Sequence, residues 1–444
     1  MSGTLPPRRG LGGLHAARLE SAYLVGGLLL FMSWLLPWWF QMQYRGFGGD
    51  FSTGGVSRAD ALTTGNPAFQ VAAAGIYVIS GLVLLRRLDL RRIALAVLVP
   101  VGLVAWAWAS LVWAEDPDLT LRRCIAFTGS ALFAAHLATL PWSRILGLVT
   151  VAGAIACGSS LGAAVLIPEA AVHGSGDFEG AVRGLFDQKN MAGHMAELGL
   201  MAVLACAIRP PPGWKARTGI AVAGALCVGL VLASTSRTAL GLSLVGVMIF
   251  LVALPVSLPR LKSFVVLAGI AALVVGLVVL TEFITAQGDP SKVQIAGRDL
   301  TATGRTILWQ ATLPYASEHL GTGWGYRSFW TGAGASGEVW AAVSWDPPNG
   351  HSSWIDAVID LGLPGLAALL FLLGATLWAA RPGAGTPLEH RVWAWALVVG
   401  AIIQGSLESL LLEANNLAWI MVLATYLALV ARLHDAVRAP SRPL

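Results

Sequence analysis

The chain has 444 residues, of which 56% are hydrophobic and only 12% are charged, and its mean hydropathy is +0.69. A soluble domain carries roughly twice this charged fraction, so composition excludes a water-soluble globular protein. Repeated apolar runs of about 20 residues, long enough to cross a bilayer, predict an all-α polytopic membrane protein. The formal charge of +5 does not indicate nucleic-acid binding, because arginines that flank membrane spans account for it.

Cysteine usage argues against a disulfide framework or a metal centre. The four cysteines lie inside or beside apolar runs without paired spacing, at Cys124, Cys157, Cys206 and Cys227. Such residues are expected to serve in packing. No cleavable signal sequence is expected either, because a tail with Arg8 and Arg9 precedes a full-length first span and is typical of a retained cytoplasmic tail.

The hydrophobic runs predict about 12 membrane spans in a single integral membrane domain over residues 1–444. They are expected near 22–40, 67–85, 93–113, 121–140, 144–166, 190–208, 218–234, 238–254, 262–282, 354–380, 391–411 and 416–432. The placement of arginine and lysine sets the orientation, since 18 of the 29 basic residues fall in the N-terminal tail and in the segments predicted to share its side. Both termini are therefore predicted to be cytoplasmic.

Three outer connections are long enough to carry function, near 41–66, 167–189 and 283–353. The third is predicted to be a large periplasmic loop between spans nine and ten that caps the active site. Within it, apolar residues at helical spacing predict a helix that begins at Arg305 and lies on the membrane surface. The glycine-rich segment 321–325 is expected to end this helix.

Basic residues collect on the outer face at membrane level. Arg237 and Arg305 are each embedded in polar sequence next to a predicted helix start, and Arg183, Lys189 and Arg327 lie on the same side. Planar guanidinium groups bind phosphate oxygens in a bidentate fashion, so this group is suited to a phosphate ligand. The alternative is that the side chains reach lipid headgroups as anchors, and for Arg183 and Arg327 the two interpretations are equally open.

Polar residues also share one stripe of the sixth predicted span. Asn190, His194 and Glu197 are four and then three residues apart, next to Lys189. Polar groups on one face of a membrane helix usually face the protein interior or a cavity, and a cavity-lining role is favoured here. The alternative is a hydrogen-bonded set that ties this helix to a neighbour.

His351 precedes the tenth predicted span, where Asp356 and Asp360 share a helical face. A histidine can take a proton from an attacking hydroxyl near neutral pH. Glu408, in the next span, is a further ionisable group on the outer half, expected to pair with an arginine or to orient a ligand. The Asp116 and Asp118 pair is expected to be an ordinary solvated turn, so no metal site is predicted.

Four segments form a specific combination: Ser110 to Pro117 with Arg122 and Arg123, Arg183 to Asn190, Ser234 to Arg237, and Gly304 to Gly362. Through them the chain resembles the O-antigen ligase/polymerase superfamily (the Wzy and WaaL type) over about residues 100 to 430. The pair Lys189 and Asn190 is similar to the exopolysaccharide polymerase branch. Ser352 stands where many relatives have an asparagine after the histidine that corresponds to His351, so the chain departs from the superfamily pattern at this position. The serine hydroxyl can still form a hydrogen bond.

The resemblance implies a membrane glycosyltransferase of the GT-C type, without metal, cofactor or nucleotide sugar. Its expected reaction is the polymerisation of repeat units carried on undecaprenyl diphosphate, at the periplasmic face of the bacterial inner membrane. The alternative is a ligase that moves the glycan to lipid A core or to protein, and a transporter or flippase is the third reading. The implied partners are membrane lipid, the glycan donor and acceptor, and the flippase and chain-length regulator of the pathway.

The resemblance also implies roles for individual residues. Arg237 and Arg305 are expected to hold the donor diphosphate, and His351 to be the base that activates the acceptor hydroxyl, or a partner of that base. The substrate-binding residues are expected to be Arg183, Asp187, Lys189, Asn190, His194, Arg327 and Asp356.

Overall fold

A computed structural model describes residues 11–34, 67–174, 178–254, 294–295, 298–299, 305–343 and 345–437. The chain forms two compact units. The first unit comprises Met1–Trp39 and Trp142–Ser236, and the second comprises Phe40–Pro141 and Arg237–Leu444.

Helices account for nearly all regular structure in the described residues. In chain order they are α1 (Leu11–Phe31), α2 (Pro67–Arg87), α3 (Leu98–Ala109), α4 (Pro117–Ala138), α5 (Trp142–Leu166), α6 (Pro168–Ala171), α7 (Lys189–Ile208), α8 (Trp214–Ala233), α9 (Arg237–Ala253), α10 (Arg305–Glu318), α11 (Gly334–Val343), α12 (Ser353–Ala379), α13 (Leu388–Gly405) and α14 (Leu417–Leu429). Two short strands, β1 (Gln294–Ile295) and β2 (Arg298–Asp299), pair in antiparallel fashion.

The first unit is a helical bundle with α7 at its centre. Helix α7 packs against both α5 and α8, which also pack against each other, and α1 lies on α5. Small residues let these helices approach closely: a methyl group added at Gly153 of α5 would lie 3.1 Å from the Cα atom of Gly199 of α7. On α1, Glu20 pairs with Arg144 of α5 at 2.9 Å.

In the second unit, α4 packs between α2 and α14, while α12 contacts α3, α10, α13 and α14. A separate apolar core joins α10, α11 and the first turns of α12. Its most buried members include Leu308, Phe329, Trp330 and Ile359. This core fixes α10 and the residues after it onto α12, so the start of α10 is held at a defined position.

The prediction of an all-α polytopic membrane protein is confirmed. Within the described part of the chain, six helices are long and apolar enough to cross a bilayer: Pro67–Arg87, Leu95–Val112, Trp142–Leu166, Lys189–Ile208, Trp214–Ala233 and Ser353–Ala379. The second of these consists of α3 and the short 3₁₀ turns at its two ends. Large apolar side chains stay exposed on them, among them Leu85 at 75% and Leu95 at 82%. Such a surface suits hydrocarbon rather than water.

Helices overlap the predicted spans that fall in the described residues, whereas the predicted ninth span, 262–282, lies outside them. Two boundaries differ from the prediction. Helix α1 already begins at Leu11, and α13 ends at Gly405, because the chain turns at Ser406 and Leu407 back toward α12. The predicted helix beginning at Arg305 is present as α10.

A glycine joint connects the segment after α10 to α12. Helix α12 is kinked at Gly362, whose φ of 66° and ψ of −166° are open to glycine alone. The joint is closed by hydrogen bonds from the Trp324 amide to the Ile359 carbonyl and from the Leu363 amide to the Leu320 carbonyl, both 2.7 Å. A side chain at this position would also meet the Leu320 carbonyl oxygen at 2.7 Å.

We therefore expect Gly362→Ala to destabilise the protein by about 2 kcal/mol or more, since backbone strain and the clash add. Thermal denaturation of the detergent-purified protein measures the effect. The matched control is Gly374→Ala, in the same helix, where a methyl group meets no atom within 4 Å. An unchanged midpoint in the Gly362 variant would contradict the role of this joint.

Candidate functional site

Arg305, Glu408 and His351 form one contiguous polar group, named here the bridged cluster. Arg305 opens α10, Glu408 lies in the turn after α13, and His351 directly precedes the first turn of α12. The Glu408 carboxylate bridges the other two: its Oε1 lies 2.6 Å from Arg305 Nη2 and its Oε2 lies 3.2 Å from His351 Nδ1. The three side chains are 18%, 30% and 24% exposed, so the bridged cluster remains open to a ligand.

The contacts within the bridged cluster favour the ionised form of Glu408 and one tautomer of His351. Burial alone would raise the pKa of Glu408, but the hydrogen bond from His351 and the positive charge of Arg305 together outweigh it and hold that pKa below its ordinary value. An ionised carboxylate only accepts hydrogen bonds, so the proton of His351 lies on Nδ1. The Nε2 atom of a neutral His351 then carries the lone pair that a general base needs.

Arg305 retains binding capacity despite its ion pair. A guanidinium group has five N–H donors, and the contact to Glu408 engages Nη2. Among the described residues, the other donors of Arg305 have no recorded hydrogen-bond acceptor, so they could bind a second anion. The bridged cluster therefore places a guanidinium group and an imidazole group in contact with the two oxygens of one carboxylate.

Asp356 holds the two segments that carry His351 and Glu408. It is 2% exposed. Its Oδ1 accepts the amide of Gly350 at 2.8 Å, one residue before His351. Its Oδ2 accepts the hydroxyl of Ser409, one residue after Glu408. One buried carboxylate thus sets the relative position of the histidine and the glutamate.

Arg327 neutralises this buried charge. Its guanidinium group lies 3.1 Å from Glu413 and 3.7 Å from Asp356, and Arg123 donates a hydrogen bond to its backbone carbonyl. Burial by itself would lower the pKa of Arg327, but the surrounding carboxylates, Glu413 and Asp360 foremost, raise it above its ordinary value. Arg327 was predicted to bind substrate; the structure places it in a buried ion-pair network that supports the bridged cluster.

The backbone at His351 is held by its neighbours in an unusual conformation. Its φ is 46°, and its amide donates to Asn349 Oδ1 at 3.1 Å. Trp309 Nε1 donates to the Gly350 carbonyl at 2.8 Å, and the ring of Trp345 lies 5.6 Å from the imidazole ring. A left-handed residue that is not glycine costs free energy and is held only where its surroundings determine it, which is frequent at functional sites.

Ser353 ties Glu408 to α12. Its hydroxyl donates to the Glu408 carbonyl at 3.0 Å and accepts the amides of Leu410 and Leu411 at 3.0 and 3.1 Å. Sequence reasoning missed this role, although Ser353 lies in the polar run that begins at His351. It also missed Glu413, whose partner is distant in sequence.

We expect Asp356→Asn to impair the bridged cluster without removing any of its members. The amide keeps the shape but leaves Arg327 without one of its two carboxylates and replaces an acceptor by a donor, so kcat should fall about tenfold or more. Kinetics on the purified protein measure this. The control is Asp346→Asn, which changes an exposed residue between α11 and α12 and should retain wild-type turnover. Equal kcat values for the two variants would contradict a positioning role.

Arg237 is the first residue of α9, in the second unit, and its side chain is exposed. An arginine at a helix start adds its charge to the partial positive charge of the helix terminus, which favours an anion at that point. The predicted role of Arg237 in holding the donor diphosphate stays a prediction.

The other predicted site residues belong to the first unit. Asp187 is exposed, Arg183, Lys189 and Asn190 are half-buried, and His194 is buried. Arg183 Nε donates to the Ala170 carbonyl at 3.1 Å, and Lys189 Nζ lies 3.3 Å from the hydroxyl of Thr235.

A histidine that sequence reasoning did not single out reports on these cations. Burial lowers the pKa of His173, and the charges of Arg183 and Lys189 lower it further. Two cations therefore lie near His173 in the segment between α6 and α7, and the carboxylate of Asp187 opposes part of their effect. An anionic ligand would be attracted to this segment as well.

Among the residues that the structure describes, no three His, Cys, Asp or Glu side chains gather as a metal site would require. Asp116, half of the acidic pair noted in the sequence, instead caps α4 by accepting the Leu119 amide at 2.9 Å.

Part of the chain is similar to one known protein family. The model of the O-antigen ligase family matches residues 222–370, which include Arg237, Arg305 and His351. The "Exopolysaccharide production protein ExoQ" of Rhizobium meliloti (strain 1021) is 28% identical over 281 residues. That match covers 60% of this chain and 61% of the relative, so it spans less than two thirds of the relative's length. These two matches support the O-antigen ligase/polymerase superfamily as the family that this chain resembles.

Proposed function

We propose that the protein is a membrane glycosyltransferase that polymerises oligosaccharide repeat units carried on a polyprenyl diphosphate, for a cell-surface or exopolysaccharide. The observation that carries this proposal is the bridged cluster, in which Glu408 joins Arg305 to His351 at 2.6 and 3.2 Å. The similarity to the O-antigen ligase family and to its relative supports glycosyl transfer as the reaction class. The relative's name supports exopolysaccharide production as its setting.

In the proposed reaction the acceptor hydroxyl oxygen bonds to the anomeric carbon of the donor sugar while the bond from that carbon to the diphosphate oxygen breaks. The electron pair of the broken bond leaves with the lipid diphosphate. His351 Nε2 takes the hydroxyl proton, and Glu408 stabilises the imidazolium that forms. Each group thus acts where charge develops.

The departing diphosphate needs cations. Arg305 has donors left beyond its contact with Glu408, and Arg237 presents an exposed side chain at the start of α9. Guanidinium groups positioned for the leaving group stabilise its negative charge more in the transition state than in the ground state. A diphosphate is a good leaving group, so the proposed mechanism requires no metal ion.

The wider setting of this site is also part of the proposal. We propose about 12 membrane spans in one membrane domain, with the loop 283–353 capping a periplasmic active site and both termini in the cytoplasm of a bacterium. Arg183, Asp187, Lys189, Asn190 and His194 would contribute to binding the glycan substrates. The flippase and chain-length regulator of the same pathway are the proposed protein partners.

The test is turnover by the purified protein. Incubation with a synthetic prenyl-diphosphate oligosaccharide should yield a ladder of products that differ by one repeat unit, together with free prenyl diphosphate, both read by mass spectrometry. The Arg305→Ala protein should yield neither. Wild-type protein that binds the donor but never releases prenyl diphosphate would favour a transporter and would refute the proposed chemistry.

A ligase is the second candidate, because the matching family model is described as O-antigen ligase. The two functions share the donor and differ in the acceptor. A deletion strain separates them: loss of long chains with single repeat units retained supports a polymerase. Long chains that accumulate on the lipid carrier, unattached to lipid A core or protein, support a ligase.

A further inference from the structure

A cavity of about 700 Å³ lies in the second unit between α2 and α4. Phe69 and Ala73 of α2 and Ile125 of α4 form part of its apolar lining. Tyr77 and Asn415 line it as well, and the tyrosine hydroxyl donates to the asparagine side-chain oxygen. This volume and mixture of apolar and polar groups are typical of a site for a small molecule or a sugar.

The charges of the cavity do not balance. Arg122, Arg123, Arg327 and Glu413 line it, and the last two pair with each other at 3.1 Å. Arg123 donates to the Arg327 carbonyl, and Arg122 is exposed. Neither Arg122 nor Arg123 forms an ion pair with a carboxylate of the described residues. The lining thus carries three guanidinium groups against the one carboxylate of Glu413. The charges of Asp360 and Glu413 also act on Arg123, but without an ion-pair contact. This excess of positive charge in the lining favours an anionic ligand.

The cavity adjoins the segment that carries His351. Asn349 lines it and accepts the His351 amide at 3.1 Å. Arg327, on the same wall, contacts the Asp356 carboxylate that holds Gly350. A ligand in the cavity would therefore lie beside the proposed base, and its contacts are with residues other than Arg305 and Arg237.

We propose that this cavity is the acceptor subsite, in which Arg122 and Arg123 hold an anionic oxygen group of the incoming glycan. That group is either the carboxylate of an acidic sugar or the diphosphate of the acceptor's own lipid carrier. The proposal rests on the proposed function, in which His351 activates an acceptor hydroxyl. The first turns of α4 then select the acceptor, while the bridged cluster and Arg237 bind the donor.

The test compares two synthetic prenyl-diphosphate disaccharides as acceptors, identical except that one has a uronic acid where the other has the neutral sugar. In the purified full-length protein, Arg122→Gln should raise the acceptor KM about tenfold or more, with kcat nearly unchanged. Arg122→Glu should raise it further. A loss limited to the acidic acceptor identifies the sugar carboxylate as the bound group, and an equal loss for both identifies the diphosphate.

Arg91→Gln is the matched control, since Arg91 is an exposed arginine of the same unit that does not line the cavity. Its acceptor KM should equal the wild-type value. Because Arg122 is exposed and its charge has no partner among the described carboxylates, the variant is expected to fold, and an unchanged thermal denaturation midpoint checks this. An acceptor KM in Arg122→Gln equal to that of the control, for both acceptors, would overturn the proposal.

A binding measurement separates this proposal from the proposed function. Calorimetric titration of the same two disaccharides into the His351→Ala protein requires no chemistry. Weaker binding after Arg122→Gln is added supports the subsite even where no acceptor is turned over, an outcome that would refute the polymerase alone. Binding that is insensitive to Arg122 would refute the subsite alone.

Discussion

Arg305→Ala should lower kcat by about 100- to 1,000-fold, because it removes the guanidinium group proposed to meet the developing charge of the lipid diphosphate. The loss should appear in the release of prenyl diphosphate as well as in chain elongation, since both depend on the same bond. Single-turnover assays on the detergent-purified protein, with donor in excess of its Kd, isolate the chemical step from binding.

Two further variants sharpen this prediction. Arg305→Lys keeps the charge but loses the planar fork, so it should recover only part of the activity. Arg381→Ala removes a half-buried arginine of the second unit that lies against Trp378 and outside the bridged cluster, and it should leave kcat unchanged. Elongation at the wild-type rate by Arg305→Ala would remove this residue from the proposed mechanism.

His351→Ala should lower kcat by about 100- to 10,000-fold, the range expected when a general base is lost. His351→Gln keeps a polar side chain without the basic nitrogen and should be impaired to a similar extent. Donor affinity should change little in either variant, because Arg305 and Arg237 remain. The measurement is kcat together with donor binding at equilibrium.

Glu408 offers a test that these residues act as a unit. If Glu408 fixes the proton on His351 Nδ1 through the 3.2 Å contact, Glu408→Gln should itself lower kcat. Its effect should then largely vanish in a protein that already lacks His351, because the carboxylate acts through the histidine. Effects that simply multiply in the double variant would contradict this coupling.

The sequence alone predicted that the chain is a helical membrane protein and predicted several local features of the site. Long apolar runs predicted a helical membrane protein, and the helical spacing after Arg305 predicted α10. These properties depend on composition and on contacts three or four residues apart, which a single sequence displays directly.

What the sequence did not display is which distant residues meet. Glu408 was expected to pair with an arginine or to orient a ligand, but its partners lie 103 and 57 residues earlier in the chain. Asp356 and Arg327 were predicted to bind substrate, and that role stays a prediction; the structure adds that their side chains lie 3.7 Å apart, a contact that the sequence does not reveal. A charged side chain in an apolar segment is compatible with either role, and only the tertiary contacts distinguish them.

The most direct test is an electron cryomicroscopy map of the protein with a non-reactive phosphonate analogue of the prenyl-diphosphate sugar. The diphosphate density is expected within hydrogen-bonding distance of Arg305 and Arg237, with the anomeric carbon on the side of His351 Nε2. The proposed glycosyl transfer at this site would be contradicted by diphosphate density elsewhere, with no contact between the analogue and the bridged cluster.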